Sequence, residues 1–131
     1  MADAGGAAAD TDIAAPAGPI VPEQAEAAIR EGQVQLVDVR GADEHEAGHI
    51  AGDRLITFDR LRDQLGSLER DRPVLFYCRS GDRSETAAEA LRASGWDANS
   101  IEGGLLEWVE RGLPIEPQDG HVAERNVLPP A

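Results

Sequence analysis

Five short apolar runs, each followed by a segment with helical spacing, constrain the fold of this chain more than any other feature. The runs are Ile20-Val21, 34–39, 54–57, 73–77 and 98–101. The segment 22–30 carries Ala25, Ala28 and Ile29 on one face before Gly32, and 42–47 stops at Gly48. Residues 59–65 precede Gly66, and 105–111 end before Gly112. The clearest helix, 83–93, sets Ala87, Ala88 and Leu91 at core spacing before Gly95. Such alternation implies an α/β fold, an open parallel sheet of about five strands with helices on both faces. In sheets of this kind ligands bind beyond the carboxyl ends of the strands. The most apolar strand, 73–77, runs straight into Cys78.

Ordered structure is expected over residues 20–116. Residues 1–19, rich in Ala, Gly, Asp and Pro, read as a disordered N-terminal arm, and 117–131 as a flexible C-terminal tail. The start of the chain lacks the basic and apolar pattern of a secretory signal or transit peptide. No stretch approaches the roughly 20 apolar residues of a membrane span. The expected compartment is therefore the cytoplasm. With 131 residues the chain has material for one core. A formal net charge of −13 argues against nucleic-acid and anionic-membrane partners. Lysine is absent, so any fixed cation in an anion site must be arginine.

Cys78 is the only cysteine, which excludes an internal disulfide and a multi-cysteine metal site. It opens the run Cys78-Arg79-Ser80-Gly81-Asp82-Arg83-Ser84. This loop contains no proline, so the backbone N–H groups of residues 79–84 can converge on the sulfur. Two arginines flank the glycine, and Ser84 is a candidate N-cap for the helix that follows. Such a cup favours a thiolate and holds an anion beside it. The plainer reading of a lone cysteine is a small buried residue that closes a strand. An inert core cysteine, however, has no use for Arg79, Gly81 and Arg83 within five residues.

The length of the loop selects the chemistry. A cysteine phosphatase needs Cys-x5-Arg, wide enough to seat a tetrahedral phosphate. Here the interval is Cys-x4-Arg; Ser84 stands where the phosphatase arginine belongs, and Tyr77 rather than histidine precedes the cysteine. The narrower cup suits one extra sulfur better than a phosphoryl group. Sulfur transfer asks for little more than a thiolate that attacks a sulfane sulfur and an acceptor that removes it.

The loop resembles that of rhodanese-like single-domain sulfurtransferases, and the likeness extends from about residue 20 to 116. Leu36-Val37-Asp38-Val39-Arg40 is similar to the family's DVR strand end. Asp43-Glu44-His45 with Gly48-His49-Ile50 and Gly52 resembles its D-E-aromatic and G-H-I-P-G-A segment. Glu102-Gly103-Gly104, Trp108 and Gly112-Leu113-Pro114-Ile115 resemble its closing glycine pair, tryptophan helix and GLP exit. The chain departs from that pattern at His45, Ala51 and Asp53, which replace an aromatic, a proline and an alanine, and 54–57 lacks the second proline.

The resemblance implies a rhodanese-like sheet and a persulfide on Cys78, with its sulfur cradled by the amides of residues 79–84. Arg83 and Arg79 would draw anionic donors such as thiosulfate. Asp82 works against them, its side chain directed to solvent. Two arginines against one aspartate leave the loop a formal +1. The expected partners are a small sulfur donor and a thiol, cyanide or protein acceptor, and no cofactor or metal is implied.

Asp38 and Arg40 read as a structural ion-pair position near the site, with Arg40 pairing Glu44 as the preferred arrangement. His45 and His49 read as hydrogen-bonded or exposed, His121 as solvated, and Trp96 and Trp108 as packing residues. The acidic run 43–46 reads as a solvated helix face. Two functions share Cys78: a turnover sulfurtransferase, or a sulfur-relay or regulatory module with little activity on small donors. A low-molecular-weight phosphatase or arsenate reductase and an inert scaffold stand behind them. Oligomeric state and the natural donor and acceptor are not set by the sequence.

Overall fold

The computed structural model describes residues 18–124. The four strands are β1 (Gln35–Asp38), β2 (Arg54–Leu55), β3 (Val74–Tyr77) and β4 (Ala98–Ser100). They pair in the order β2-β1-β3-β4, all parallel. The expected fifth strand at Ile20-Val21 is a single parallel bridge from Ile20 to Ile101. Two backbone bonds hold it, Ile20 N–H to Ser100 and Glu102 N–H to Ile20, both 2.8 Å. Pro22 follows at once and begins a helix, so this piece has no length in which to extend.

The helices are α1 (Pro22–Arg30), α2 (Ala42–Ala47), α3 (Leu61–Gln64), α4 (Asp82–Ala93) and α5 (Gly104–Glu110). Proline and glycine punctuation sets the first two bounds where the sequence places them. Residues 59–65 were expected as one helix but form 3-10 turns, Phe58–Arg60 and Leu65–Ser67, around the single α-turn of α3. Only Leu61 is buried in this stretch, too little apolar surface to support a longer helix. Among the described residues no helix is long and apolar enough to cross a membrane.

Alternation along β3 divides the core. Val74, Phe76 and Cys78 face α4, where they meet Val37, Val39, Ala87, Ala88, Leu91 and Trp96. Leu75 and Tyr77 face the opposite layer with Ala25, Leu36, Ile101, Leu105 and Trp108. Helices therefore cover both faces of the sheet, and both tryptophans pack as expected. The small side chains Ser84, Ala87 and Ala88 bring α4 close to the strands.

Residues 1–17 of the expected arm and 125–131 of the expected tail lie outside the described residues. The tail's first part is laid against the domain. Just past the antiparallel bridge of His49 with Glu116, which closes the expected domain, the His121 amide donates to Ala47 at 3.0 Å. His121 keeps an exposed side chain, yet its backbone crosses Gly48 so closely that a Cβ there would sit 2.4 Å from the His121 carbonyl oxygen.

Candidate active site

Register brings the functional residues together. Asp38 pairs with Tyr77 across β1 and β3, so both strands end at one level and their next residues share the carboxyl edge. Cys78 is wholly buried there. Gly81 turns the chain with φ +107° and serves as the N-cap of α4. Ser84 was expected in that role. It lies inside the first turn instead, because the left-handed glycine already reverses the chain.

Of the six amides after the cysteine, those of Gly81 and Ser84 donate to Sγ at 3.1 and 3.4 Å. The Ser84 hydroxyl also lies 3.4 Å from Sγ. A second helix holds the loop from outside: the Leu105 and Leu106 amides of α5 donate to the carbonyls of Cys78 and Arg79 at 2.8 and 3.0 Å. Gly104 permits this approach, since a Cβ there would come 2.6 Å from both carbonyl oxygens. Gly104 is thus required by contact with the backbone of Cys78 and Arg79, whereas a Cβ on Gly103, at φ +75°, would meet the Glu107 side chain at 2.5 Å.

The charges are distributed differently from expectation. Asp82 does not simply face solvent. Its Oδ1 accepts from the Ser80 hydroxyl at 3.0 Å and lies 3.9 Å from Sγ. Arg83 directs its two terminal nitrogens at Glu44, at 3.4 and 3.5 Å, and its Nε has no hydrogen-bond partner. Glu44 belongs to the run read as solvated, yet it is only 2% exposed and also accepts from the Gly41 amide at 3.2 Å. Helical spacing turns this one position of α2 inward, beneath Arg83. Arg79 donates through Nε to the carbonyl of Ala123 at 3.1 Å.

Arg40 pairs with Asp38 rather than Glu44. Nε and one terminal nitrogen reach the two carboxylate oxygens at 2.9 and 2.8 Å, and the Asp38 carboxylate also caps the Arg40 amide at 2.9 Å. Both residues are fully buried. Burial opposes the charge on Arg40, but the hydrogen bonds and charge of Asp38 outweigh it and raise the guanidinium pKa. The same terminal nitrogen donates to the Gly48 carbonyl at 2.7 Å, tying β1 to the end of α2.

Tyr77 and Asp53 form a contact that sequence reasoning missed. The tyrosine hydroxyl donates to Asp53 at 2.6 Å and accepts from the Ile50 amide at 3.0 Å. Burial, then the Asp38 and Asp53 charges, push the Tyr77 pKa upward, so it stays a phenol. The departure from the family pattern at Asp53 was the one signal available. His45 joins the group through Nδ1, 3.0 Å from Asp38 and 3.5 Å from Asp53, and His49 Nδ1 lies 2.9 Å from the His45 carbonyl. Ligand atoms of His45, His49 and Asp53 lie within 4.8 Å of one another. The two rings are stacked at 3.9 Å and 12°, however, so their lone pairs run side by side instead of converging. We assign this cluster to hydrogen bonding. A separate groove of about 730 Å³, bordered by Ile29, Ile50, Trp108, Ile115 and Pro117, includes no residue of the cysteine loop.

A family model described as Rhodanese-like domain matches residues 21–111. Over 87 residues the chain is 38% identical to an HTH-type transcriptional regulator of Mycobacterium tuberculosis, covering 65% of this chain and 38% of that protein. It is also 38% identical over 77 residues to the uncharacterized protein YqhL of Bacillus subtilis, covering 58% of this chain and 61% of the relative. The chain therefore spans less than two thirds of either curated relative. Among solved structures, a rhodanese-related protein from Thermoplasma volcanium is 32% identical with a TM-score of 0.69. That match covers 74% of this chain and 95% of the other.

Proposed function

The chain belongs to the rhodanese-like domain family, and on that premise we propose that it is a sulfurtransferase whose Cys78 carries a sulfane sulfur between a donor and an acceptor. The observation that carries this reading is the buried Sγ beneath the Gly81 and Ser84 amides at the head of α4. Amides aimed at one sulfur stabilise negative charge on it, and the same cup offers donors to a second sulfur bound above it.

With thiosulfate as donor, the Cys78 thiolate attacks the outer sulfur. A new S–S bond forms, the S–S bond of thiosulfate breaks, and its electron pair leaves on sulfite. The enzyme is then a persulfide anion. An acceptor such as cyanide attacks the outer sulfur, leaves as thiocyanate, and returns the electron pair to Cys78 as thiolate. Neither half needs a proton delivered to a poor leaving group, which agrees with a site built from amides and a hydroxyl. Asp38 and Arg40 enter only as the frame beside the loop.

A second reading, a sulfur-relay or regulatory module, is favoured by one observation. The matching region is 38% of a relative described as a transcriptional regulator, so a similar domain occurs there within a larger protein. Mass spectrometry of the chain after incubation with thiosulfate or an alkyl persulfide tests the shared core of both readings. One added sulfur on Cys78 is expected, and no addition from either donor overturns them. Cys78→Ser should abolish thiocyanate formation; activity that survives it moves the chemistry elsewhere. Slow thiosulfate turnover combined with persulfide passage to a defined protein selects the relay.

A further inference from the structure

Two glycines face each other where the chain beyond Glu116 crosses the end of α2. A Cβ on Gly48 would sit 2.4 Å from the His121 carbonyl oxygen, and one on Gly120 would sit 2.6 Å from the Ala47 carbonyl oxygen. Gly48 has φ 178°, extended backbone that any residue adopts, and Gly120 is not among the glycines with positive φ. Backbone conformation therefore accounts for neither glycine, whereas the crossing accounts for both. Both sides of the crossing are anchored. The Gly48 carbonyl accepts from Arg40 at 2.7 Å, which joins it to the buried Asp38–Arg40 pair. Segment 120–123 starts at a turn closed by the Gly120 amide on the Pro117 carbonyl at 2.8 Å. It bonds Ala47 through the His121 amide and packs half-buried Val122 against the core layer of Tyr77 and Leu105. It then reaches the cysteine loop, where the Ala123 carbonyl accepts from Arg79 Nε at 3.1 Å.

We propose that segment 120–123 is a strap that positions Arg79 for an oxyanion-bearing sulfur donor, so that a backbone carbonyl outside the loop governs donor choice. The inference rests on Cys78 being a sulfur carrier and adds how its donor is held. Arg79 adjoins Cys78, and its own carbonyl is fixed by the Leu106 amide at 3.0 Å. The strap fixes the other end of the side chain. With both ends held, little rotamer freedom is left to lose when an anion binds. A carbonyl is neutral, so it orients the guanidinium without opposing its charge, unlike Glu44 beside Arg83. Attachment through Nε leaves the two terminal nitrogens, which have no hydrogen-bond partner among the described residues. Guanidinium N–H groups fork to match two oxygens of one oxyanion. A donor without an oxyanion gains nothing from this arrangement.

The test follows sulfur loading of Cys78 by mass spectrometry over rising thiosulfate, with the persulfide of 2-mercaptoethanol as a donor that carries no oxyanion. From that persulfide the Cys78 thiolate takes the outer sulfur with its proton. The donor's S–S bond breaks, and its electron pair leaves on the thiolate of 2-mercaptoethanol. Gly48→Ala and Gly120→Ala push the strap off α2 from opposite sides and leave Arg79 in place. In each, the half-saturating thiosulfate concentration should rise about fivefold, while the saturated rate and the persulfide rate stay within about twofold of wild type. Arg79→Ala should raise that concentration about tenfold or more. Adding Gly48→Ala to Arg79→Ala should change nothing further, because the strap acts through that side chain. A strap that only stabilised the fold would slow both donors alike and add its full effect in the Arg79→Ala background. Gly120 follows the exposed residues 117–119, so its variant decides the question where Gly48→Ala fails to fold. No rise in either glycine variant, or a full further loss in the double variant, overturns the strap while leaving the sulfur carrier intact. Failure of both donors to load wild-type Cys78 overturns the carrier and this inference with it.

Discussion

Two neighbouring strands end side by side at the carboxyl edge of the sheet, and they treat charge in opposite ways. The end of β1 is closed. Asp38 and Arg40 are both fully buried, meet through two bonds of 2.8 and 2.9 Å, and share further bonds with nearby backbone. The end of β3 is open to chemistry. Its sulfur is held by amides, and its arginine meets Glu44 only at 3.4 and 3.5 Å. A tight fork-to-carboxylate pair fixes one geometry. A loose pair can shift when the sulfur beside its loop gains or loses a charged neighbour. The best ion pair in the region therefore belongs to the frame, and the weaker one to the site.

Removing the frame should have the largest effect. Arg40→Met leaves the buried Asp38 without its guanidinium, with His45 the remaining side chain on its carboxylate, and is expected to cost about 3–5 kcal/mol in urea unfolding. A loss below about 1 kcal/mol would erase the distinction between the two strand ends. Next comes the clamp on the open end. Gly104→Ala puts a Cβ against the carbonyls of Cys78 and Arg79 at a backbone φ of +63°, which should cost about 1–3 kcal/mol. Sulfur loading should fall about tenfold or more as the loop is displaced. Stability lost without any change in loading would separate α5 from the site.

A smaller effect is expected where the two ends touch. Tyr77→Phe removes the donor to Asp53 and the acceptor of the Ile50 amide, at about 1–2 kcal/mol. Unchanged thermal unfolding would mean that this hydroxyl does not join the strands to the segment after α2. The smallest effect depends on pH. Burial, against the Tyr77 hydrogen bond, holds the Asp53 carboxyl above its ordinary 3.8. The folded chain then binds this proton more tightly than the unfolded one. The stability it contributes is full below pH 3.8 and is lost as pH rises through the higher folded value. Asp53→Asn should remove that loss, so the wild-type melting temperature should drop relative to the variant as pH rises from about 3.5 to 6. A constant difference over that range would remove Asp53 from the pH response.

The sequence made the strand and helix alternation legible because Pro22, Gly32 and Gly48 punctuate it. It also singled out Cys78, since one cysteine in a proline-free loop between a strand and a helix is a local signal. What it did not reveal depends on distance along the chain. Glu44 lies far from Arg83 and inside an acidic run that looks like solvent-facing surface, so only the packed fold shows it turned inward. Arg40 was assigned the wrong partner because helical proximity favoured Glu44, whereas the extended backbone lets Arg40 reach back two residues to Asp38. Asp53 was visible as a departure from a pattern, without the tyrosine that explains it. Residues 59–65 and Ser84 were misread for local reasons: one stretch has too little apolar surface, and at the other a left-handed glycine had already started the helix.

The sheet's margins carry a last consequence. One side ends in the two residues of β2 and the other in the single bridge at Ile20, so the described domain presents almost no free ladder. Open edges are where strangers add strands and fibrils begin. A domain with four short parallel strands would invite such growth if its borders were long and flat. Here Pro22 cuts one border short, and the other is no longer than Arg54–Leu55. The same brevity that hid one strand from the count leaves a passing chain little template to copy.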